Sequence, residues 1–386
     1  MRRIIVKNRI IRTVSLLIIS ASLLPFAAIP SSAGIEADAK SVILIEAVTG
    51  KVLYEDNADQ PLPPASVTKV MTMLLVMEAV DGGKIALSDT VSVSEHAASM
   101  GGSQVYLEVG EQMSVEDLLK SVVVASANDA ACALAEYVSG SESEFVSRMN
   151  ERAKELGMNN THFENTNGLD DTTNDHVTSA RDIAIMSAEL IEKHPKILEY
   201  STIWQDTIRN GEFTLSNTNR LIRFYNGANG LKTGSTAKAG FCISASALKD
   251  GMQLIAVVMG SSSRDNRNAS AKALLDYGFA NYSFVSFDGA CDIEIPVEKG
   301  MKSALIAGYD PFCAVVKKGS TQDITVQKSL PESVTAPVSK GDIIGRIVYT
   351  LDNEIIGECE ITALEDIPAM TFTEMLLRLL KKYIMV

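Results

Sequence analysis

The sequence predicts an α/β protein of the α+β kind: a helical cluster on an antiparallel sheet, followed by a small all-β domain and a C-terminal amphipathic helix. Three observations predict it. Between residues 40 and 280, helical patterns fill the middle and strand patterns stand at both ends, so one sheet is built from both ends with helices packed on it. Near residue 283 the pattern changes to short alternating strands separated by Gly, Pro, Asp and Lys turns. From Phe372 to Val386, the residues Phe372, Met375, Leu376, Leu379, Leu380, Tyr383 and Val386 share one helical face, while Glu374, Arg378, Lys381 and Lys382 share the other. A chain of 386 residues has room for two or three domains and a core that holds a rigid site. The boundaries read as a leader over 1–33, a first domain over 34–282, an all-β domain over 283–366 and the terminal helix over 367–386.

The first 33 residues carry five basic residues (Arg2, Arg3, Lys7, Arg9 and Arg12) and no acidic one. An apolar run from Val14 to Ile29, broken by Pro25, leads to Pro30-Ser31-Ser32-Ala33, where small residues precede a cleavage point after Ala33. This is the pattern of a secretory signal peptide. The alternative is an uncleaved anchor, for which the run is short, since a spanning helix needs about 20 apolar residues. On either reading the rest of the chain works outside the cytoplasm.

Residues 40–54 read as two short strands around Thr49-Gly50. A Pro-rich entry, Pro61 to Ala65, delivers the chain to Ser66, and Val67 to Val80 is apolar on every side, the mark of a buried helix. Ser114 caps the next helix, with Asp117 three residues on. Its apolar run, Leu118 to Val124, is interrupted by Ser126-Ala127-Asn128 and resumes through Val138. Polar residues in such a setting need hydrogen bonds or a function. Helices follow over 144–157 and 180–193 around a polar loop, then strands over 214–216, 231–233, 239–247 and 253–259, and a helix over 270–279.

The net charge of −13 excludes a nucleic-acid partner, because phosphate binding needs clustered Lys and Arg. The five cysteines (Cys132, Cys242, Cys291, Cys313 and Cys359) are widely spaced without a CxxC, and read as small core hydrophobes. No HExxH and no clustered His and Cys spacing occurs, so neither metal nor cofactor is expected. The four histidines (His96, His162, His176 and His194) stand in loop or helix-end contexts, and with no G-x-S-x-G elbow a Ser-His-Asp hydrolase is disfavoured.

Three short patterns carry chemistry. In Ser66-Val67-Thr68-Lys69, positions i and i+3 share a helix face, so the Lys69 amine reaches the Ser66 hydroxyl. Apolar surroundings lower a lysine pKa and let the neutral amine act as base, and the helix start offers N–H groups to an oxyanion. In Ser126-Ala127-Asn128, a second hydroxyl and an amide suit a proton relay and a substrate amide. In Lys232-Thr233-Gly234-Ser235, a strand presents a cation, a hydroxyl and a residue without a side chain to an extended peptide ending in a carboxylate.

Together, in this order, SxxK, SxN and KTG resemble the penicillin-binding protein and serine β-lactamase superfamily. The chain more closely resembles the D-alanyl-D-alanine carboxypeptidases among low-molecular-mass penicillin-binding proteins, peptidase family S11. Further stretches carry the likeness: Pro64-Ala65 before Ser66, Met100 to Leu107, Thr161-His162-Phe163, Asn167-Gly168-Leu169, His176, Ala180-Arg181-Asp182, Gly230-Leu231 and Ala239-Gly240-Phe241. The resemblance spans about 38–280 and implies a transpeptidase-like catalytic domain. It implies that Ser66 attacks the penultimate D-Ala carbonyl, Lys69 takes its proton, Ser126 passes a proton to the leaving D-Ala and Lys232 assists electrostatically. Asn128, Thr233, Gly234 and Ser235 would bind substrate, with an oxyanion hole from the N–H groups of Ser66 and Ser235. Many relatives carry His in place of Ser235. The implied partners are the pentapeptide stem of peptidoglycan and β-lactam antibiotics, and the terminal helix is expected to lie on a membrane surface. Two rivals stand beside this reading. One is a β-lactamase, whose water-activating glutamate would have to be Glu155 in Glu155-Leu156-Gly157-Met158-Asn159. The other is an inactive peptidoglycan-binding protein.

Overall fold

The computed structural model describes residues 35–171 and 173–384. The leader and its cleavage point, residues 1–33, lie outside them. Strand β1 (Ser41–Glu46) is buried along its whole length and turns through Gly50 into β2 (Val52–Asp56). Helix α1 (Lys69–Asp81) is buried from Lys69 through Met77, as its all-round apolar sequence requires. Helix α2 (Val115–Lys120) begins where the Ser114 hydroxyl accepts from the Asp117 N–H at 3.1 Å. It widens into a π-turn over Ser121–Ala125, and Ser126 ends it in the left-handed region at φ 64°. Helix α3 (Asn128–Ser139) resumes at once. Helices α4 (Glu142–Glu155) and α5 (Ala180–Lys193) start on the serine caps Ser141 and Ser179. Helices α3 and α5 both pack on α1.

The main sheet closes with β3 (Ala228–Thr236), β4 (Gly240–Lys249) and β5 (Met252–Ser261). Its order is β2-β1-β5-β4-β3, antiparallel throughout, so strands from both ends of the segment do meet in one sheet. Period-two alternation assigns the faces. Ile43, Ile45, Ile255 and Val257 join the core of the helical cluster. Leu44 and Leu254 point the other way, onto Gly278 of α6 (Arg264–Asn281). Both faces are therefore covered, which is why β5 reads as a continuous apolar run. Helix α6 starts six residues before the apolar pattern at Ser270, because the Ser263 hydroxyl caps it at the Asn266 N–H and its first turn is polar.

After α6 come β6 (Tyr282–Phe287), β7 (Ala290–Glu298), β8 (Ala304–Tyr309), β9 (Phe312–Lys317), β10 (Thr325–Ser329), β11 (Val334–Thr335), β12 (Ile343–Leu351) and β13 (Glu354–Ala363). Strand β6 pairs with β9, and the others form a sheet of order β10-β12-β13-β8-β7-β11. Its core holds Tyr349, stacked on Phe312 at 4.2 Å between centroids and tilted against Phe287 at 4.8 Å. The Lys51 amine from the β1–β2 turn donates to the Val315 carbonyl at 2.8 Å, tying this part to the main sheet.

Helix α7 (Phe372–Ile384) leaves Phe372, Leu376, Leu377, Leu379 and Leu380 exposed, while Met375 is half-buried and Arg378 donates to the Gly300 carbonyl at 3.1 Å. The side chains of Lys381, Lys382, Tyr383 and Val386 lie outside the described residues. Among the described residues, no helix is long and apolar enough to cross a membrane. The cysteine reading needs correction. Cys132 and Cys242 are core residues, but Cys291 on β7 is exposed, and Cys359 on β13 and Cys313 on β9 are half-buried, because the small sheets of the C-terminal part bury less than the main core. All five are free thiols.

Tyr349→Ala removes a buried ring and is expected to cost about 3–5 kcal/mol. Denaturant unfolding followed by near-UV circular dichroism will show a lowered midpoint for the β-rich part. An unchanged midpoint would mean that the aromatic stack is not its core.

Candidate active site

Proline at 64 and a left-handed Ala65 (φ 49°) bring the chain into one 3₁₀ turn, Ala65–Thr68, which runs directly into α1. The turn sets Ser66 at the rim and Lys69 inside, on the first residue of the helix. The Lys69 amine is fully buried, stands 3.0 Å from Ser66 Oγ, and donates to Asn128 Oδ1 at 2.5 Å and the Asn167 carbonyl at 2.9 Å. Its pKa lies well below the ordinary lysine value. Desolvation is the main cause and the nearby Lys232 adds to it, while Asp129 opposes both. An amine in this state takes a proton from the hydroxyl it touches.

The SxN segment is placed by the π-turn. Ser126, buried in the left-handed corner, lines the cleft. Asn128 spends both ends of its side chain, with Oδ1 on Lys69 and Nδ2 donating to the Gly101 carbonyl at 2.7 Å. The Asn128 N–H donates to the Ser103 carbonyl at 2.7 Å. The buried Asp129 carboxylate accepts from the N–H groups of Val105 and Leu107. These bonds strap the stretch Met100 to Leu107 onto the start of α3.

Strand β3 is the edge strand of the main sheet, with the carbonyls of Asn229 and Gly230, near its start, capped by the side chains of Ser201 and Asn219. Lys232 is fully buried and donates to the Thr233 carbonyl at 2.9 Å. Burial, reinforced by Arg267, lowers its pKa to about 7. The Thr233 hydroxyl donates to Thr218 Oγ1 at 2.8 Å, and Ser235 is exposed at the rim. The sequence reading makes Gly234 a clearance for substrate. In the structure the clearance serves the protein itself, since a Cβ there would stand 2.7 Å from the Ser66 N and 2.9 Å from the Pro64 carbonyl. Strand β3 and the Ser66 turn meet only because position 234 carries no side chain.

The loop over 164–170 closes the third side. Gly168 has φ +83°, and a Cβ would fall 1.8 Å from the Ala65 carbonyl oxygen. His176 is buried. Its Nδ1 accepts from the Glu164 N–H at 2.9 Å, which puts the proton on Nε2 for donation to Thr68 Oγ1 at 2.8 Å, and Thr68 in turn donates to the Ala65 carbonyl. The His176 pKa falls to about 4 because burial disfavours the cation, against a smaller opposing pull from Glu164. His176 is thus a loop residue by function, as expected, although a buried one.

All eight residues singled out in the sequence come together here. Ser66, Ser126, Thr233, Gly234 and Ser235 line a cleft of about 240 Å³ with Trp204 and Arg220, and Lys69, Asn128 and Lys232 are buried behind it. Arg267 also lines the cleft and escaped the sequence reading. It is buried, donates to Asn268 Oδ1 and, at 3.4 Å, to the Cys242 carbonyl, and its pKa is lowered to about 10, chiefly by desolvation. Among the described residues no carboxylate pairs with it. The Asn167 carbonyl on Lys69 escaped too, since a backbone contact leaves no residue-type signature. Glu155 is exposed at the end of α4 and pairs with Arg152 at 3.2 Å, away from the cleft.

A sequence family described as D-alanyl-D-alanine carboxypeptidase, Peptidase S11, matches residues 27–263, and one described as penicillin-binding protein 5, C-terminal domain, matches 292–369. The chain is 44% identical over 348 residues to D-alanyl-D-alanine carboxypeptidase DacF of Bacillus subtilis, covering 88% of this chain and 89% of that protein. Penicillin-binding protein 5 from Haemophilus influenzae superposes with a TM-score of 0.76 at 33% identity, over 86% of this chain and 98% of that one. Penicillin-binding protein D2 from Listeria monocytogenes, in an ampicillin-bound form, gives a TM-score of 0.59 at 32% identity, over 64% and 99%.

The His176 shift has a definite sign. With the folded-state pKa below the ordinary 6.5, the unfolded chain takes up the proton first, so this stability is present above pH 6.5 and is lost as pH falls to about 4. The size is about 3 kcal/mol. His176→Gln should flatten the fall in the urea midpoint between pH 7 and 4; an unaltered slope would assign the acid sensitivity elsewhere.

Proposed function

The chain belongs to the peptidase S11 family of D-alanyl-D-alanine carboxypeptidases, and from that premise we propose how its site performs the reaction and where it works. The enzyme is a serine-type hydrolase that removes the terminal D-Ala of peptidoglycan peptides ending in D-Ala-D-Ala. One observation carries the residue assignment: a fully buried amine, Lys69 Nζ, stands 3.0 Å from Ser66 Oγ.

Lys69 takes the Ser66 proton as Oγ bonds to the penultimate D-Ala carbonyl carbon. The oxyanion is held by the N–H groups of Ser66 and Ser235, donors whose approach the bare Gly234 permits. The C–N bond then breaks and the leaving D-Ala nitrogen receives a proton through Ser126, with Lys232 stabilising the charge. Water attacks the resulting ester and returns Ser66. Thr233 and the unpaired guanidinium of Arg267 hold the substrate carboxylate, which supplies the anion that buried cation lacks. The second proton of Asn128 Nδ2 is left for the acyl-side carbonyl. A β-lactam ring amide acylates Ser66 by the same path. The exposed position of Glu155 argues against a β-lactamase using that carboxylate, and the full motif set argues against an inactive wall-binding protein.

The enzyme works outside the cytoplasm. The division at 282 and 366 makes the β-rich part a spacer, and α7 lies on the outer face of the membrane with its apolar side chains in the interface. The exposure of Phe372, Leu376, Leu379 and Leu380 supports this.

Two experiments test the proposal. Incubated with a fluorescent penicillin, the wild type will gain one penicilloyl adduct by intact mass and will release D-Ala from a pentapeptide; Ser66→Ala will do neither. Turnover of penicillin without D-Ala release would instead favour the β-lactamase. Removing residues 372–386 should move the protein from sedimenting with anionic vesicles to the supernatant, and continued sedimentation would refute the role of the helix.

A further inference from the structure

One turn along α3 from Asn128, three side chains from separate elements converge. His96 lies in a short helical turn, Glu95–Ala98, Cys132 on α3 and Glu142 at the first position of α4. One ligand atom from each lies within 4.8 Å of the other two, and His96 Nε2 is 2.7 Å from Glu142 Oε2. The other carboxylate oxygen, Oε1, is engaged by the Thr166 N–H at 3.1 Å and the Thr166 hydroxyl at 2.7 Å, which fixes the carboxylate and leaves Oε2 turned to His96 and Cys132. Thr166 precedes Asn167, whose carbonyl meets Lys69, so the cluster and the active site share one loop.

We propose that His96 Nε2, Cys132 Sγ and Glu142 Oε2 form a binding site for a single divalent ion of the zinc class. An imidazole, a thiolate and a carboxylate oxygen suit a borderline-soft ion and not calcium or magnesium, which take oxygen. Tetrahedral bonds of about 2.0–2.3 Å need donors closer to about 3–4 Å apart, with the His96 to Glu142 pair slightly wider than it is now. The exposed His96 ring can turn to meet this, and the buried thiol and pinned carboxylate need only small shifts. On binding, the Cys132 S–H proton leaves to solvent and His96 switches tautomer, its Nε2 proton exchanging through solvent to Nδ1; the His96 to Glu142 hydrogen bond is replaced by two bonds to the ion, and water from the His96 side completes the shell. Sequence reasoning expects no metal here because the donors follow no ligand spacing; only the packing of α3 against α4 and the His96 turn gathers them.

The test uses the full chain freed of metal. Titration with cobalt(II) chloride is expected to produce a thiolate-to-cobalt charge-transfer band that saturates at one equivalent and is displaced by zinc chloride. Cys132→Ala should abolish the band, and His96→Ala should weaken the affinity roughly a hundredfold. Because His96 is exposed, its variant keeps the test open if Cys132→Ala does not fold. Penicillin acylation at the wild-type rate certifies each variant as folded and reads the active site separately. No charge-transfer band in the wild type, or an equal titration in a folded variant, would overturn the site.

Discussion

The structure turns on one unfavourable placement, a lysine amine held out of water at the start of a buried helix. An ammonium costs several kcal/mol to desolvate, and the cost is met by neutralising it. Lys69 is therefore held neutral by its surroundings, and those surroundings are most of the domain. Helix α1 buries its stem, α3 supplies Asn128, the loop over 164–170 supplies a carbonyl, and Lys232 on β3 adds a second charge that disfavours protonation. Each group comes from a different element, so the fold acts as a device for surrounding one nitrogen.

Bringing those elements so close requires departures from regular geometry. The π-turn and the left-handed Ser126 end one helix and start another without a loop, which places Ser126 and Asn128 together at the cleft. Two bare positions do similar work. Gly168 admits the loop against Ala65, and Gly234 admits β3 against the Ser66 turn. His176 secures the same turn from behind through Thr68, and its proton-bearing Nε2 is dictated by the backbone N–H that occupies Nδ1. The site is thus rigid because its backbone, as well as its side chains, is hydrogen-bonded on three sides.

The β-rich part and α7 obey different constraints. Tyr349, Phe312 and Phe287 give the thin sheet a core that short alternating strands alone would not provide. Among the described residues, helix α7 is held by Arg378, which donates to the Gly300 carbonyl at 3.1 Å, while Phe372 and several leucines stay exposed.

Much of this was legible in the amino-acid order. The all-round apolar run after Ser66 marked a buried helix, the serine caps marked helix starts, and three short patterns named the eight residues that meet at the cleft, because i,i+3 spacing and strand alternation are local rules. What the order alone could not decide were contacts between distant segments and contacts made by backbone. The Asn167 carbonyl on Lys69 carries no side-chain signature. Arg267 fell outside the helix expected over 270–279, and reaches the cleft because α6 begins early, at Arg264. That Gly234 also gives room to the Ser66 turn shows only in the packing of β3 against it. His96, Cys132 and Glu142 became neighbours only through the packing of three elements. Local chemistry and periodicity belong to the sequence, whereas burial, and with it the pKa of Lys69, is a property of everything packed around it.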